Sequence, residues 1–168
     1  MKFTLHLLFL FFIFSFHSYG QDSTTHLKVK WGQVTSLLQK RSNIITNLTK
    51  TLSKFKVDKK QNNNLKRLAI DFSNYVSSLR SVDGASILIA VEKDNKLRQS
   101  LIVTLIEIDD NQEIKSKQKF ADIQANLEGC ENSIKNATRN YNDICSKYNR
   151  LDLLFLVDYQ NKPTEIQF

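Results

Sequence analysis

The chain has 168 residues, including four glycines and one proline, and its formal net charge at pH 7 is +7. A sheet of many strands needs many turns, and turns draw heavily on Gly and Pro. The composition therefore excludes such a sheet and predicts one all-α domain. The hydrophobic content of 41% is sufficient for a core, although residues 1–20 account for part of it.

The N-terminal segment is apolar. Residues 1–20 carry a single charge, Lys2, before a run of Leu, Phe and Ile that ends in small residues. This order predicts a secretory signal peptide cleaved after Gly20, leaving a domain at 21–168. The alternative is an uncleaved membrane anchor, because the nineteen uncharged residues 3–21 approach the length that spans a bilayer.

Positive charge is concentrated in the first part of the remaining chain. Residues 23–70 contain eleven Lys or Arg and one acid, Asp58, whereas residues 71–168 contain twelve basic and fifteen acidic groups. A basic helix on an exported protein could meet anionic lipid, an acidic envelope polymer or an acidic partner. Nucleic acid is a poor candidate in that compartment. The alternative is that this helix packs beside the more acidic remainder of its own bundle.

Apolar residues at helical spacing predict a first helix from about His26 to Phe55. Arg41 occupies a core position in this pattern. A charge there costs stability unless it meets a carboxylate or water, so Arg41 either fixes the register of a bundle or serves a site. In the alternative interpretation, its stem is buried and its guanidinium reaches solvent.

Two further helices follow. A polar connector at 56–64 offers its asparagines as an N-cap for a second helix that runs to about Arg80, and Asp83-Gly84 is a plausible stop. A third helix is predicted at 85–108, with a short buried strand at 87–91 as the alternative.

The last predicted helix is the longest. The spacing of Asp110 and Glu113 resembles a capping box at its start. An apolar seam then recurs every three or four residues: Phe120, Ile123, Leu127, Cys130, Ile134, Ala137, Tyr141, Ile144, Tyr148 and Leu151. Four such amphipathic helices predict an up-and-down four-helix bundle with long antiparallel helices. Residues 151–168 are expected to form an extended tail that docks on the bundle, with disorder of its end as the alternative.

Candidate chemistry is sparse. Cys130 and Cys145 lie too far apart on one helix for a disulfide, and an intermolecular disulfide at Cys145 is the alternative. His26 is the single histidine after residue 20, which argues against His-based metal sites and Cys-His catalysis. Helix capping explains the acidic loop at 109–113, so no cofactor, metal or catalytic residue is predicted.

Polar residues flank the seam of the long helix. Tyr141-Asn142 recurs one heptad later as Tyr148-Asn149, and Glu131-Asn132 precedes both pairs. Gly129 costs about 1 kcal/mol relative to Ala inside a helix. Either another backbone approaches closely there or the glycine is incidental.

These residues resemble the motifs of the LemA family. The likeness is carried by the stretch from Leu127 to Ile134 together with Arg139, Tyr141-Asn142 and Tyr148-Asn149, which is similar to ELEGTENRI followed by AR..YN and a second YN. Upstream, Trp31, Lys40-Arg41 and Asn47-Leu48 are similar to the family's W, LKRR and DLIPNL segments. Thr46, Cys130 and Ser133 depart from the pattern.

The resemblance implies a four-helix bundle behind an N-terminal membrane-associated segment in the bacterial envelope, without established catalytic residues. We therefore expect a non-enzymatic, exported scaffold or interaction module, in the periplasm or held at the membrane by an anchor. Its expected partner is an envelope or membrane protein, with an anionic lipid or polymer as the alternative and a homo-oligomer also compatible. The expected partner-binding residues are Lys40, Arg41, Lys50, Lys54, Glu131, Asn132, Asn142 and Asn149.

Overall fold

The chain folds into helices. The computed structural model describes residues 2–79 and 82–156, with side chains from residue 23 onward. The helices are α1 (Lys2–Leu52), α2 (Lys59–Ser78), α3 (Gly84–Asp109), the single turn α4 (Gln112–Lys115) and α5 (Gln118–Lys147), followed by a 3₁₀ turn at Leu151–Leu153. No strand occurs in the described ranges. The all-α prediction is confirmed, and residues 87–91 are helical.

The four long helices run up and down. His26, midway along α1, meets Tyr148 at the C-terminal end of α5, whereas Arg41, farther along α1, meets Glu131 nearer the middle of α5. The neighbouring helix pairs are antiparallel in the same way, as four hydrogen bonds show: Gln39 with Ser77, Asn62 with Thr49, Gln61 with Thr104, and Tyr75 with Ser86. The bundle prediction is confirmed, and α4 lies in the connection from α3 to α5.

The seam of α5 shifts by one residue along its length. Its first half is buried where the spacing predicts, through Ile134, but the second half buries Thr138 and Cys145 instead of Ala137 and Ile144. A straight α-helix has 3.6 residues per turn, so a 3.5-residue repeat drifts by about 20° per heptad. The drift moves Cys145 from beside the seam into the core.

Several predicted boundaries are wrong because a different polar residue caps each helix. Asp58 accepts hydrogen bonds from the backbone of Lys60 and Gln61 and starts α2, so residues 62–64 are helical rather than the cap. Asp83 starts α3 instead of stopping the second helix.

The α3–α5 connection also differs from the prediction. Asn111, not Asp110, caps the short α4, and α5 begins at Gln118. Gly84 opens α3 where the backbone of Asp152 passes: a Cβ on this glycine would lie 2.9 Å from the Asp152 carbonyl oxygen. The C-terminal segment is thus in direct contact with the start of α3. The predicted cleavage site and residues 157–168 lie outside the described side chains.

Candidate interaction surface and buried charged cluster

Two of the predicted partner-binding lysines, Lys40 and Lys50, share one exposed face of α1, and a third, Lys54, is exposed in the turn that follows this helix. Asn43 and Asn47 lie between the two lysines of this face, because residues three, four and seven apart lie close together around a helix. We call these five residues the lysine stripe. Residues 23–52 contain no carboxylate, so the stripe has no acidic neighbour within its own helix.

A groove beside Lys40 separates α1 from α5. It has a volume of about 420 Å³ and is lined by Ser36, Gln39, Lys40, Asn43, Ile44, Asn47, Ile123 and Asn126. Carboxamides are prominent among the polar groups, and each offers both donors and an acceptor. Asn132 is exposed on α5, but it is not part of this lining. Lys40 therefore lines the same groove as Asn126, and Asn132 does not.

Arg41 lies inside the bundle. Its side chain is 0% exposed and forms an ion pair with Asp94 of α3, while its Nη1 donates to Glu131 of α5 at 3.2 Å. The Phe72 ring of α2 lies 5.7 Å from the guanidinium carbon, within the range of a cation–π contact. The expectation that this guanidinium reaches solvent is wrong, because two carboxylates balance its charge inside the protein. Arg41 cannot itself contact a partner.

The three charged side chains form a buried charged cluster, defined here as Arg41, Asp94 and Glu131. Within the described part of the chain, the Arg41 Nε and the Asp94 Oδ2 have no hydrogen-bond partner. Unpaired buried polar atoms reduce the benefit of a buried ion pair. Through these two ion pairs Arg41 links α1 to both α3 and α5.

Cys130 lies beside this cluster. Its thiol donates to the Leu37 carbonyl at 3.6 Å. Burial raises the pKa of the Cys130 thiol, and the positive charge of Arg41 opposes part of that rise. A buried thiol with a raised pKa is a poor nucleophile, because the reactive species is the thiolate.

The Asn142 side chain holds the C-terminal segment. Its Oδ1 accepts from the Phe155 backbone at 3.0 Å and its Nδ2 donates to the Phe155 carbonyl at 3.1 Å. The Tyr141 hydroxyl donates to the Leu153 carbonyl at 2.9 Å. Tyr141 and Asn142 thus hold the C-terminal segment against α5. The carboxamide of Asn142 already has its hydrogen-bond partners within the chain.

Asn149 ends α5 rather than continuing its polar edge. Its φ is 53°, in the left-handed region. The Arg150 backbone donates to the Cys145 carbonyl at 2.8 Å and the Asn149 backbone donates to Ser146 at 3.0 Å. This pair of bonds is a Schellman motif, in which the left-handed position favours Gly or Asn. The prediction that Asn149 is helical is wrong.

Two further expectations concern glycine and acidic residues. A Cβ on Gly129 would meet nothing within 4 Å, so among the described residues no neighbouring backbone approaches it closely. In the acidic loop, Asp109 pairs with Lys115 at 2.7 Å. In the described ranges, no cluster of His, Cys, Asp or Glu is arranged to hold a metal ion.

Sequence reasoning missed Asp94, Trp31 and Phe155 as functional candidates. Asp94 is a carboxylate at a buried helical position between Ala90 and Leu97, and that placement was a usable signal, since it matches the buried charge at Arg41. No comparable signal in the sequence indicates that the Trp31 ring packs against Phe155.

Residues 30–155 match the LemA family model. The chain belongs to the LemA family. The match includes the buried charged cluster and ends at Phe155, the residue that Asn142 holds. No curated protein matches this LemA domain significantly. LemA proteins are not known as an enzyme family. Among the helices whose side chains are described, none is long and apolar enough to cross a membrane.

Proposed function

We propose that this LemA protein is a non-enzymatic interaction module of the bacterial cell envelope that binds an acidic surface of a protein partner through the lysine stripe. The exposed face of α1 and the turn after it carry this proposal, because Lys40 and Lys50 project from the helix and Lys54 from the turn, with no carboxylate on residues 23–52. Complementary charge speeds encounter and excludes wrong partners. The carboxamide-lined groove beside Lys40 would then provide directional hydrogen bonds.

The envelope location is part of the proposal and rests on the apolar residues 1–20. The backbone of α1 is one continuous helix from Lys2 to Leu52. At about 1.5 Å per residue, Lys50 lies roughly 45 Å along this axis from residue 20. An anchored protein would present the stripe to partners that stand away from its own membrane.

In-cell photocrosslinking tests the partner surface. A photoreactive amino acid replaces Asn47, and the same chain then receives Lys40→Glu, Lys50→Glu and Lys54→Glu. We expect a discrete crosslinked protein, identified by mass spectrometry, that is lost in the triple variant. The matched control reverses three exposed lysines elsewhere, Lys66, Lys119 and Lys135. Equal loss of the crosslinked protein in both triple variants would show that net charge alone is responsible. That result would refute the lysine stripe as the binding surface.

Cell fractionation with sequencing of the mature N-terminus tests the location. A product that starts at Gln21 supports export with cleavage. A chain that retains Met1 in the membrane fraction supports the anchor. Retention of Met1 in the cytosol would contradict the envelope assignment.

A second candidate is binding to anionic lipid or polymer, favoured by the turn between α1 and α2. Five exposed lysines, at positions 50, 54, 56, 59 and 60, accompany two acids: Asp58, whose carboxylate is used as the α2 cap, and Glu107 of α3, whose carboxylate accepts from the Asp58 backbone at 2.7 Å. Vesicles of phosphatidylglycerol should bind the full chain at low salt and release it in about 0.5 M salt, where the screening length is only a few ångströms. Equal binding to phosphatidylcholine vesicles would exclude this candidate.

A further inference from the structure

The C-terminal segment fills a pocket at one end of the bundle. Leu153 and Phe155 are buried, whereas Leu154 is half-buried and Leu156 is 65% exposed. Leu153 closes the 3₁₀ turn, and Leu154 is extended, with φ −63° and ψ 128°. The chain therefore leaves the turn as an extended segment with alternate side chains on the protein, and no sheet accompanies it in the described ranges.

Side chains make the contacts that a neighbouring strand would make. Asn142 pairs with both the N–H and the carbonyl of Phe155. The Leu153 carbonyl accepts from the Tyr141 hydroxyl, and the Cys145 thiol donates to it at 3.7 Å. Hydrogen bonds to the peptide backbone favour an extended conformation of the bound segment. The buried side chains at alternate positions supply specificity.

Aromatic rings form the walls of this pocket. The ring of Trp31 lies 5.2 Å from Tyr141 and 5.4 Å from Phe155, the latter in an edge-to-face arrangement. Trp31 is 4% exposed, yet its Nε1 has no acceptor in the described part of the chain. The chain's own tail thus leaves one buried donor of the pocket unused.

We infer that the pocket formed by Trp31, Tyr141, Asn142 and Cys145 is a recognition site for an extended peptide of a partner protein, of the pattern apolar–x–aromatic. Residues 153–156 occupy it in the closed state. A partner segment that repeats these contacts and also offers an acceptor to the Trp31 Nε1 has one interaction that the tail lacks. An unsatisfied buried donor costs about 1–3 kcal/mol, which favours such a partner over the tail.

The tail competes strongly because it is tethered. Only a few residues separate the end of α5 from Leu153, and short tethers give effective concentrations in the millimolar range. A free peptide therefore binds the wild-type chain poorly unless the tail is weakened. This pocket is separate from the lysine stripe, so the inference stands independently of the proposed function.

The test uses the full chain with Phe155→Ala and a soluble peptide with the sequence of residues 149–156. Trp31 is the single tryptophan of the chain, so its fluorescence reports occupancy of the pocket. We expect Phe155→Ala to shift the emission to the red, and the peptide to reverse the shift with at least tenfold higher affinity than it shows for the wild-type chain. A peptide with its own Phe replaced by Ala should have no effect, and adding Asn142→Ala should weaken binding at least tenfold.

Absence of any response by the folded Phe155→Ala chain at about 1 mM peptide, the range of the tethered tail, would overturn the inference. An equal response to the peptide without Phe would do the same. If Phe155→Ala does not fold, hydrogen exchange of the wild-type chain decides: the Phe155 amide should exchange well before the central amides of α5. If the Phe155 amide and the central amides of α5 exchanged at the same rate, the C-terminal segment would open only together with the core, which would overturn the inference. A wild-type dimer that Phe155→Ala dissociates would assign the pocket to a second copy and also overturn the inference.

Discussion

The guanidinium of Arg41 on α1 donates to the carboxylate of Asp94 on α3 where both side chains are shielded from water, with exposures of 0% and 1%. Glu131 of α5 adds a second carboxylate whose side chain is 12% exposed. Moving charges out of water is costly, and only the complete set of partners offsets the cost. One guanidinium therefore links three helices, and its net benefit depends on both carboxylates being in place.

Replacing Arg41 with Met should destabilise the bundle by about 3–5 kcal/mol, because it leaves Asp94 charged and buried without a counterion. Urea unfolding of the full chain measures the change. Asp94→Asn should also destabilise, whereas the double variant Arg41→Met with Asp94→Leu should recover much of the loss, since the one carboxylate that remains, Glu131, is 12% exposed and can be solvated. Independent, additive losses would contradict a coupled pair.

An exposed ion pair provides the matched control. Arg67 and Asp71 lie one turn apart on α2 at 3.4 Å, with side-chain exposures of 63% and 49%. Exposed pairs of this spacing contribute little because solvent screens them. Arg67→Met should leave the unfolding midpoint close to that of the wild-type chain.

The sequence pattern was sufficient for the helices and insufficient for what holds them in register. Periodic apolar residues act locally, and they correctly predicted four long antiparallel helices. The partner of Arg41 lies 53 residues away in sequence, and no local pattern states which carboxylate will meet it. The sequence pattern also did not predict the contact between Asn142 and Phe155, because the residues between them reverse the chain through a Schellman motif at Asn149.

The boundary errors have a related physical cause. Asp58, Asp83 and Asn111 all cap helices, yet other Asn or Asp residues lie close to Asp58 and Asn111 in the sequence. Any of these can accept a backbone N–H. Tertiary contacts select among them: the Asn62 side chain donates to the Thr49 carbonyl at 3.1 Å, so it is used between helices rather than as a cap.

Two glycines should respond in opposite directions to Ala. Gly129 is exposed in the interior of α5 with free space around its Cβ position, so Gly129→Ala should stabilise by about 0.5–1 kcal/mol. Gly84→Ala should destabilise, because its Cβ would lie 2.9 Å from the Asp152 carbonyl oxygen. Thermal unfolding distinguishes the two. A gain in stability at Gly84 would mean that the C-terminal segment does not pack there.

Asn149 should tolerate Gly better than any residue with a branched side chain. Its left-handed φ of 53° costs most L-residues about 1–2 kcal/mol, while Gly adopts this region freely. Asn149→Gly should therefore be neutral or stabilising, and Asn149→Val should lower the free energy of unfolding by at least about 1 kcal/mol. The reference substitution is Asn140→Val, at an exposed helical position of α5. Similar losses at the two positions would show that helix propensity alone explains the effect.

The free energy of unfolding should decrease at alkaline pH because of ionisable side chains in the core. Burial raises the pKa of the Cys130 and Cys145 thiols and raises that of Tyr141 well above its usual range. The folded state thus retains protons that the unfolded state releases above about pH 8.5 for thiols and about pH 10 for Tyr.

Because the unfolded state then binds fewer protons, the free energy of unfolding decreases as pH rises, by up to about 1.4 kcal/mol per pH unit for each group. These groups contribute no pH dependence well below the unfolded thiol pKa, so their contribution should be constant from pH 6 to about 8. Urea unfolding under reducing conditions at pH 7.5, 8.5 and 9.5 measures the slope, with approximate onset at the thiol pKa. Cys145→Ala should reduce the slope without abolishing it, since Cys130 and Tyr141 remain. A slope that is unchanged by Cys145→Ala would contradict protonation of this thiol in the folded core.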